Sequence, residues 1–471
     1  MEVASSVADQ RSAQCRSARL IWAVMIVLFI YLIATYVVQL RSPLHVDMDS
    51  KRLLTMANSG AEGHNFRGPL PHNLGYDWFP IGYPAMLAGL EVAGLAKPWA
   101  YLGLNLVFAA VGVAGYAAAI RRAYGFSAIA TLAVANLILL NFILLKYCCE
   151  IMTDVPFFGI AGVLIWLLVR AETSHGSRRW VLSLICLVLA LASTQVRAVG
   201  VAFLPAVVWV VVGPSRHEHG TWGWIKAHRW LLIYLGLASV VVLALGFIFL
   251  VRPEYFNEFL GQYRQMGLGA AIANLVSCRA SDLSAAVLNL PLSQTPEKLR
   301  PLFSILAFCG AGVSVFGCWR RRRIDVITIF SLTFVCILAL VPISAPRYWL
   351  PLVPLILANF AIVAKDFGGR IWFRLAGAAY VLLYLVCALG GQVWETRLSW
   401  SGESFANRYH AMANIRATYR AAYSLDPDPD LTGLDFQTFY ILRRYEPLAQ
   451  RYLMNPTPAS RPATSPSASQ P

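Results

Sequence analysis

The chain has 471 residues, of which 58% are hydrophobic and only 13% are charged. A soluble protein carries about 25% charged residues, so this composition excludes an ordinary soluble domain. The formal net charge of +15 does not indicate a nucleic-acid partner. The basic residues lie mainly in short loops between apolar runs, as membrane topology requires, and the sequence has no zinc finger, recognition helix or basic tail.

Apolar runs long enough to cross a bilayer, which takes about 20 residues, recur along the chain. The first, at about 20–40, has no small-residue cleavage site and is predicted to be a retained helix rather than a signal peptide. The expected fold is an all-α polytopic membrane protein with about 11 transmembrane helices, and residues 20–390 form its transmembrane module. The other spans are predicted at about 99–120, 126–146, 152–170, 180–194, 197–213, 230–251, 302–319, 325–342, 349–364 and 371–390.

The distribution of basic residues predicts the orientation of these spans. Alternate loops hold clusters of Lys and Arg, whereas the short loops between them hold roughly one each. Such clusters stay in the cytoplasm, so residues 1–19 are predicted to be cytoplasmic and the C-terminus exoplasmic. The expected location is the bacterial inner membrane. The clusters include Arg121 and Arg122, Arg178 and Arg179, and the run 320–323.

Four segments are predicted on the exoplasmic side of the membrane. Residues 41–98 form a large first loop that begins with an amphipathic helix at the interface, and its part at 76–96 is apolar but broken by prolines, as in an interfacial or re-entrant segment. Residues 252–301 form a second large loop, and residues 391–455 a small C-terminal region. Residues 456–471, rich in Pro, Ser and Ala, are predicted to be a disordered tail.

Two acids, Asp47 and Asp49, directly follow the first span. A carboxylate at the membrane surface can act as a general base towards a hydroxyl, or help to hold a cation against a phosphate. The alternative for any Asp-x-Asp sequence is a pair of solvated loop acids without a role. Their position on the exoplasmic side, where orientation does not require acids, favours chemistry.

Further charged residues fall on the same predicted side. Glu150 and Asp154 follow one span, and Arg197 and Arg347 lie at the ends of others. Ionisable residues at the membrane boundary are costly and therefore suggest function, and an Arg can bind a phosphate with two donors. The alternatives are a helix cap at Thr153 beside Asp154 and snorkelling of Arg347 to the interface. Lys146 is a weaker candidate for phosphate binding.

The segment 49–57 resembles the first exoplasmic loop of GT-C glycosyltransferases, in the branch of the protein O-mannosyltransferases and lipid A aminoarabinose transferases. That signature has an acidic pair, one residue, Arg-Tyr, and an Ala four residues after the Tyr. Asp49, Arg52 and Ala57 match it, whereas Ser50 replaces the second acid and Leu53 the tyrosine. In that family the first Asp is the proposed catalytic base. The resemblance therefore implies this role for Asp49, with Asp47 able to supply the second carboxylate.

Four later segments are similar to motifs of the same family, so that the resemblance covers about residues 20–365. It implies that Arg52, Trp78, Tyr83 and Tyr348 line the substrate site. The segments are Trp78–Pro84, rich in aromatics and proline; Glu150–Phe157, an acidic loop leading into a helix; Thr194–Arg197, similar to a Thr-Arg-Pro turn but without its proline; and Arg347–Pro354, an Arg-Tyr-x-x-Pro-x-x-Pro element.

The resemblance implies an enzyme that moves a sugar from a polyprenyl-phosphate donor in the bilayer to an exoplasmic glycan, lipid or protein hydroxyl. Arg347, Arg197 and Lys146 would bind the donor phosphate, and Asp49 would deprotonate the acceptor. Inversion at the sugar carbon is expected, because a single displacement occurs. Glu150 and Asp154 would support the acceptor or a metal ion. No cofactor is implied with certainty, and the use of a divalent cation stays open.

Two other functions are compatible with a polytopic chain that has boundary arginines. A transporter or lipid flippase usually shows repeated halves, and the sequence has no evident internal repeat. An O-antigen-type polymerase or ligase depends on arginines in later loops rather than on acids after the first span. Substitution of Asp49 would therefore distinguish these functions from sugar transfer by the proposed route.

Overall fold

The computed structural model describes residues 2–41, 48–64, 66, 80–212, 261, 263–266, 268–292, 295–321, 324–339, 341 and 343–401. Within these residues the elements are α-helices and short 3-10 turns. The helices are α1 (Glu2–Val38), α2 (Met48–Ala61), α3 (Gly82–Val92), α4 (Pro98–Tyr124), α5 (Ala128–Leu139), α6 (Phe142–Cys148), α7 (Asp154–Glu172), α8 (Gly176–Val196), α9 (Leu204–Val212), α10 (Leu268–Leu288), α11 (Arg300–Arg320), α12 (Val326–Ala339), α13 (Val353–Phe367) and α14 (Ile371–Ser401).

In the described part of the chain, seven helices are long and apolar enough to cross a membrane, or eight if α5 and α6 form one bent span. This confirms an integral membrane protein with an all-helical fold. The predicted spans at 197–213 and 325–342 correspond to shorter apolar helices, Ala198–Val212 and Val326–Ala339. The predicted span at 349–364 corresponds to α13, which has 15 residues. The span predicted at 230–251 lies outside the described residues.

The span predicted at 126–146 is broken, because α5 and α6 meet at an angle of 57°. Side chains of distant helices satisfy the backbone groups that the break sets free, as a chain in a bilayer requires. Asn289 accepts a hydrogen bond from the Phe142 N–H at 2.9 Å and donates to the Leu140 carbonyl at 3.1 Å. Tyr36 and Gln392 both donate to the Leu139 carbonyl. The break thus ties α1 and α14 to the centre of the protein.

Helix α7 is the central helix, with 72% of its apolar window buried. Glycines let α4 approach it closely: a Cβ atom on Gly115 would lie 2.5 Å from the Gly162 carbonyl carbon, and one on Gly162 would lie 2.5 Å from the Gly112 oxygen. Inside a bilayer the hydrophobic effect does not drive helices together, and small residues stabilise the contact by letting the two backbones pack closely. This packing fixes the start of α7, where Asp154 lies.

Residues 252–301, predicted to be an exoplasmic loop, contain α10, a helix of 21 residues. By length and composition Gly269–Leu288 could cross a membrane, and the exoplasmic position of residues 252–301 stays a prediction. Two charges on this helix, Arg279 and Asp282, pair with each other at 3.1 Å. The end of α10 packs beside the middle of α11. A Cβ atom on Gly310, the central residue of α11, would lie 2.5 Å from Cγ1 of Val287, near the end of α10.

Two other segment predictions agree with the described helices in part. A helix was expected at the start of the first loop, and α2 occupies Met48–Ala61 with Leu53, Leu54 and Ala57 fully buried. Helix α3 has 11 residues, which is too short to span a bilayer. At the other end, α14 continues to Ser401, into the predicted C-terminal region. The rest of that region and the predicted tail lie outside the described residues.

Candidate functional site

The first turn of α2 places Asp49 among arginines. Its Oδ2 atom accepts a hydrogen bond from Arg347 Nη2 at 3.0 Å, and its Oδ1 atom lies 3.9 Å from Arg52 Nη1. A carboxylate is also favoured in this position by the dipole at the helix N-terminus. The buried leucines of α2 fix the helix, so that Asp49, which is 29% exposed, faces the site.

Arg347 lies on a 3-10 turn, Pro346–Trp349, that leads towards α13. Its side chain is 21% exposed and contacts two carboxylates: Asp49, and Asp154, whose Oδ2 atom lies 3.7 Å from Arg347 Nε. Burial disfavours the charged guanidinium. The surrounding groups, Asp154 first, outweigh burial and raise the pKa of Arg347 above the usual arginine value. Arg347 is therefore a permanent cation.

Asp154, the first residue of α7, is the buried anchor of the site. Its side chain is only 3% exposed, and it pairs with both Arg197 and Arg347. Thr153 precedes it at the N-cap position but makes no side-chain capping hydrogen bond. Capping by Thr153 therefore does not explain this acid. The structure instead gives Asp154 the task of holding two arginines together, which would otherwise repel each other.

Arg197 follows the last residue of α8 and turns the chain towards the site. Its guanidinium carbon lies 4.3 Å from the centre of the Tyr348 ring, and that of Arg347 lies 5.6 Å from the same ring. This turn is tightly packed against α3: a Cβ atom on Gly82 would lie only 2.7 Å from the Gln195 carbonyl oxygen. Helix α3 thus fixes the position of Arg197.

The charges alternate along a chain of contacts, Asp49–Arg347–Asp154–Arg197, with Arg52 beside Asp49. These three arginines and two aspartates carry a formal charge of +1. The accessible charges are those of Asp49, Arg52 and Arg347, whereas Asp154 is buried. An anion that approaches this cluster meets two partly exposed arginines and the partly exposed Asp49 carboxylate.

Several residues predicted from the sequence lie further from this cluster. The Tyr147 ring contacts both Lys146 and Arg347. The Lys146 Nζ atom lies 5.4 Å from the ring centre, and the guanidinium carbon of Arg347 lies 5.8 Å from it. Glu150 is buried, and its main-chain carbonyl accepts a hydrogen bond from Asn105 at 2.7 Å. A direct role for the Glu150 carboxylate stays a prediction.

The prediction that Tyr83 lines the substrate site is wrong in this structure. Tyr83 is fully buried, and its hydroxyl donates to Asn105 Oδ1 at 2.8 Å. This bond connects α3 to α4, so Tyr83 stabilises the helix that packs against the turn of Arg197. Its aromatic type alone could not distinguish packing from substrate contact. Asp47 and Trp78 lie outside the described residues.

The reasoning from sequence missed Tyr147 and Met152 as neighbours of Arg347. The signal for Tyr147 was its place beside Lys146, on the predicted exoplasmic side. Metal binding fits poorly here, because Asp49 and Asp154 both face arginines, which repel a cation. Among the residues that the structure describes, no three His, Cys, Asp or Glu side chains gather as metal ligands would.

No protein-family model and no curated protein matches the chain. The structure is similar to the crystal structure of ArnT from Cupriavidus metallidurans bound to undecaprenyl phosphate, with a TM-score of 0.51 and 17% identity, over 90% of this chain and 85% of that one. The chain has an ArnT-like fold. The apo structure of the same ArnT gives a TM-score of 0.47 at 16% identity, over 91% of this chain and 85% of that one.

The ArnT-like fold confirms, for the architecture, the resemblance to GT-C transferases that the motifs indicated. The similarity extends over most of both chains. An identity of 17% shows the fold alone. Function therefore has to be argued from the side chains of this site.

Proposed function

We propose that this protein is a membrane glycosyltransferase that moves a sugar from a polyprenyl-phosphate donor to a hydroxyl acceptor on the exoplasmic side. The observation that carries the proposal is the direct contact at 3.0 Å between Asp49 and Arg347, two partly exposed side chains of an ArnT-like fold. The ArnT of similar fold was crystallised with undecaprenyl phosphate, which is a polyprenyl phosphate and therefore of the class that carries the sugar in the donor that the motifs imply. A phosphate needs cations and a hydroxyl acceptor needs a base, and this contact brings the two together.

Arg347 is the principal ligand of the donor phosphate in this proposal. It is partly exposed and permanently charged, and its planar guanidinium can bind two phosphate oxygens. Arg52 adds a second accessible charge beside it. Arg197 is largely buried and paired with Asp154, so it acts mainly by holding Tyr348 and Asp154 in place. Lys146 contributes at longer range, from behind Tyr147.

Asp49 is the general base, and its pairing with Arg347 gives it a dependence on the donor. The donor phosphate competes with Asp49 for Arg347. Binding of the donor would then loosen the Asp49–Arg347 contact and leave Oδ2 of Asp49 available to the acceptor hydroxyl. Such an order protects the site from unproductive proton transfer.

The transfer itself is one displacement. The acceptor hydroxyl attacks the anomeric carbon while its proton passes to Asp49, and the bond from that carbon to the phosphate oxygen breaks. Polyprenyl phosphate leaves with the bonding electrons, and Arg347 stabilises the negative charge that develops on it. One displacement inverts the anomeric centre.

The experiment that tests the proposal is mass spectrometry of exoplasmic glycans, lipids and glycoproteins from cells that lack this protein. One sugar should be absent from one class of acceptor, and the corresponding polyprenyl-phosphate sugar should accumulate. If the protein were a transporter or flippase, its loss would instead leave the lipid-linked sugar on the cytoplasmic side, where a membrane-impermeant periodate reagent cannot reach it. An unchanged set of glycans together with unchanged lipid-linked sugars would contradict the proposal.

A further inference from the structure

Two charged side chains of α10, one helical turn apart, hold the turn that carries Arg347. Asp282 accepts hydrogen bonds from the Ser344 hydroxyl at 2.9 Å, from the Trp349 indole N–H at 3.3 Å and from the backbone N–H of Ala345. These three donors lie before and after Arg347 in the chain. The Asp282 side chain is only 1% exposed, so water does not compete for these bonds.

Arg279 holds the preceding part of the same segment. Its guanidinium donates to the carbonyls of Leu338, Val341 and Ile343, where α12 ends and the chain turns towards Arg347. A cation is favoured at the C-terminal end of a helix, where carbonyls lack partners within the helix. Arg279 and Asp282 also pair with each other at 3.1 Å. Together the two side chains bind residues that lie on both sides of Arg347 in the chain: Leu338, Val341, Ile343, Ser344, Ala345 and Trp349.

We propose that Arg279 and Asp282 are positioning residues that set the place of Arg347. The inference rests on the proposed function, in which Arg347 binds the donor phosphate. Neither residue contacts the Asp49–Arg347–Asp154 chain directly; they act through the turn Pro346–Trp349. A displacement of a binding group by about 1 Å can cost about 100-fold in rate. A buried pair that fixes this turn therefore controls both binding and transfer.

The same kind of pair exists at the opposite end of α12 and provides a matched control. There Asp325 pairs with Arg321 at 2.6 Å, is 9% exposed, and accepts from the backbone N–H and the hydroxyl of Thr328 at 2.9 and 2.8 Å. Asp325→Asn and Asp282→Asn thus each remove one buried charge from an ion pair. The two ion pairs are similarly buried and lie near opposite ends of α12. Only Asp282 is connected to Arg347.

The test compares the two variants in purified full-length protein, with undecaprenyl phosphate as the probe. Asp282→Asn should weaken binding of the probe by about tenfold or more and should speed amide hydrogen exchange across residues 344–349. Asp325→Asn should change neither. Should Asp282→Asn fold poorly, Arg279→Lys replaces it: the charge is kept, but the planar fork that reaches three carbonyls is lost, and the same two effects are expected.

Combination with Arg347→Ala separates positioning from general structural support. In that background Asp282→Asn should have no further effect on binding, because it acts through the residue already removed. Additive losses, or equal losses from Asp325→Asn, would overturn the inference. If Arg347→Ala alone leaves binding unchanged, the phosphate role of Arg347 fails instead. In that event the exchange of residues 344–349 still decides whether Asp282 holds the turn.

Discussion

The two aspartates that contact Arg347 should respond very differently to the same substitution. Asp154 is 3% exposed and pairs with two arginines that are themselves 15% and 21% exposed. Breaking a buried ion pair by removing one partner costs about 3–5 kcal/mol. An asparagine keeps one acceptor oxygen at this place, so we expect Asp154→Asn to lower the free energy of unfolding by about 3 kcal/mol.

Asp49 is 29% exposed, and its partner Arg347 would still be paired with Asp154 if Asp49 lost its charge. Exposed ion pairs contribute about 0–1 kcal/mol, so Asp49→Asn should lower the free energy of unfolding by no more than that. The difference of about 2 kcal/mol between the two variants corresponds to about a 30-fold difference in the unfolding equilibrium. Asp49→Asn should nevertheless abolish sugar transfer.

Unfolding by denaturant in detergent micelles, followed by tryptophan fluorescence, measures this difference. Asp366→Asn is the control, since its pair with Arg320 is exposed on both sides (32% and 37%) and should contribute close to nothing. Equal destabilisation by Asp49→Asn and Asp154→Asn would refute the division into an accessible base and a buried anchor. So would an Asp154→Asn variant as stable as the parent.

Two further variants test how the site is held together. Gly82→Ala should reduce transfer about tenfold or more, because the new Cβ atom would lie only 2.7 Å from the Gln195 carbonyl oxygen and displace Arg197. Gly89 lies on the same helix and has open space around it. Gly89→Ala should therefore retain activity and raise the free energy of unfolding by about 0.5–1 kcal/mol. Tyr348→Ala should lower the free energy of unfolding by about 0.5–2 kcal/mol, since it removes the ring that Arg197 faces at 4.3 Å. Tyr348→Phe keeps the ring and should be as stable as the parent. Denaturant unfolding of each purified variant in detergent micelles checks the tyrosine predictions. Equal behaviour of the two glycine variants, or of the two tyrosine variants, would count against these contacts.

The sequence was sufficient to select the charged residues that the structure brings together. Counting basic residues in alternate loops placed Asp49, Asp154, Arg197 and Arg347 on one side of the membrane, and in the structure they form one chain of contacts. The reason is physical: charges at the membrane boundary are costly, so those that remain tend to pair. Their pairing partners could not be read from the sequence, because each partner lies on a different helix.

Other features depended on tertiary contacts that a local pattern does not record. Helix α10 lies within residues 252–301, which were predicted only as a large exoplasmic loop, and the partners of Arg279 and Asp282 on Leu338 and Ser344 could not be read from a local pattern. The break between α5 and α6 is stabilised by Asn289, nearly 150 positions away in the chain. Tyr83 looked like a substrate contact because it lies within a family motif, whereas its hydroxyl is satisfied inside the protein by Asn105.

The most direct test of sugar transfer by this site is complementation of cells that lack the protein, with glycans and lipids read by mass spectrometry. The parent chain should restore the missing sugar, and Asp49→Asn, expressed in the membrane at the same level and with an affinity for undecaprenyl phosphate at least as high, should not. Restoration of the sugar by Asp49→Asn would contradict the account, because the hydroxyl acceptor would then need no base at this position.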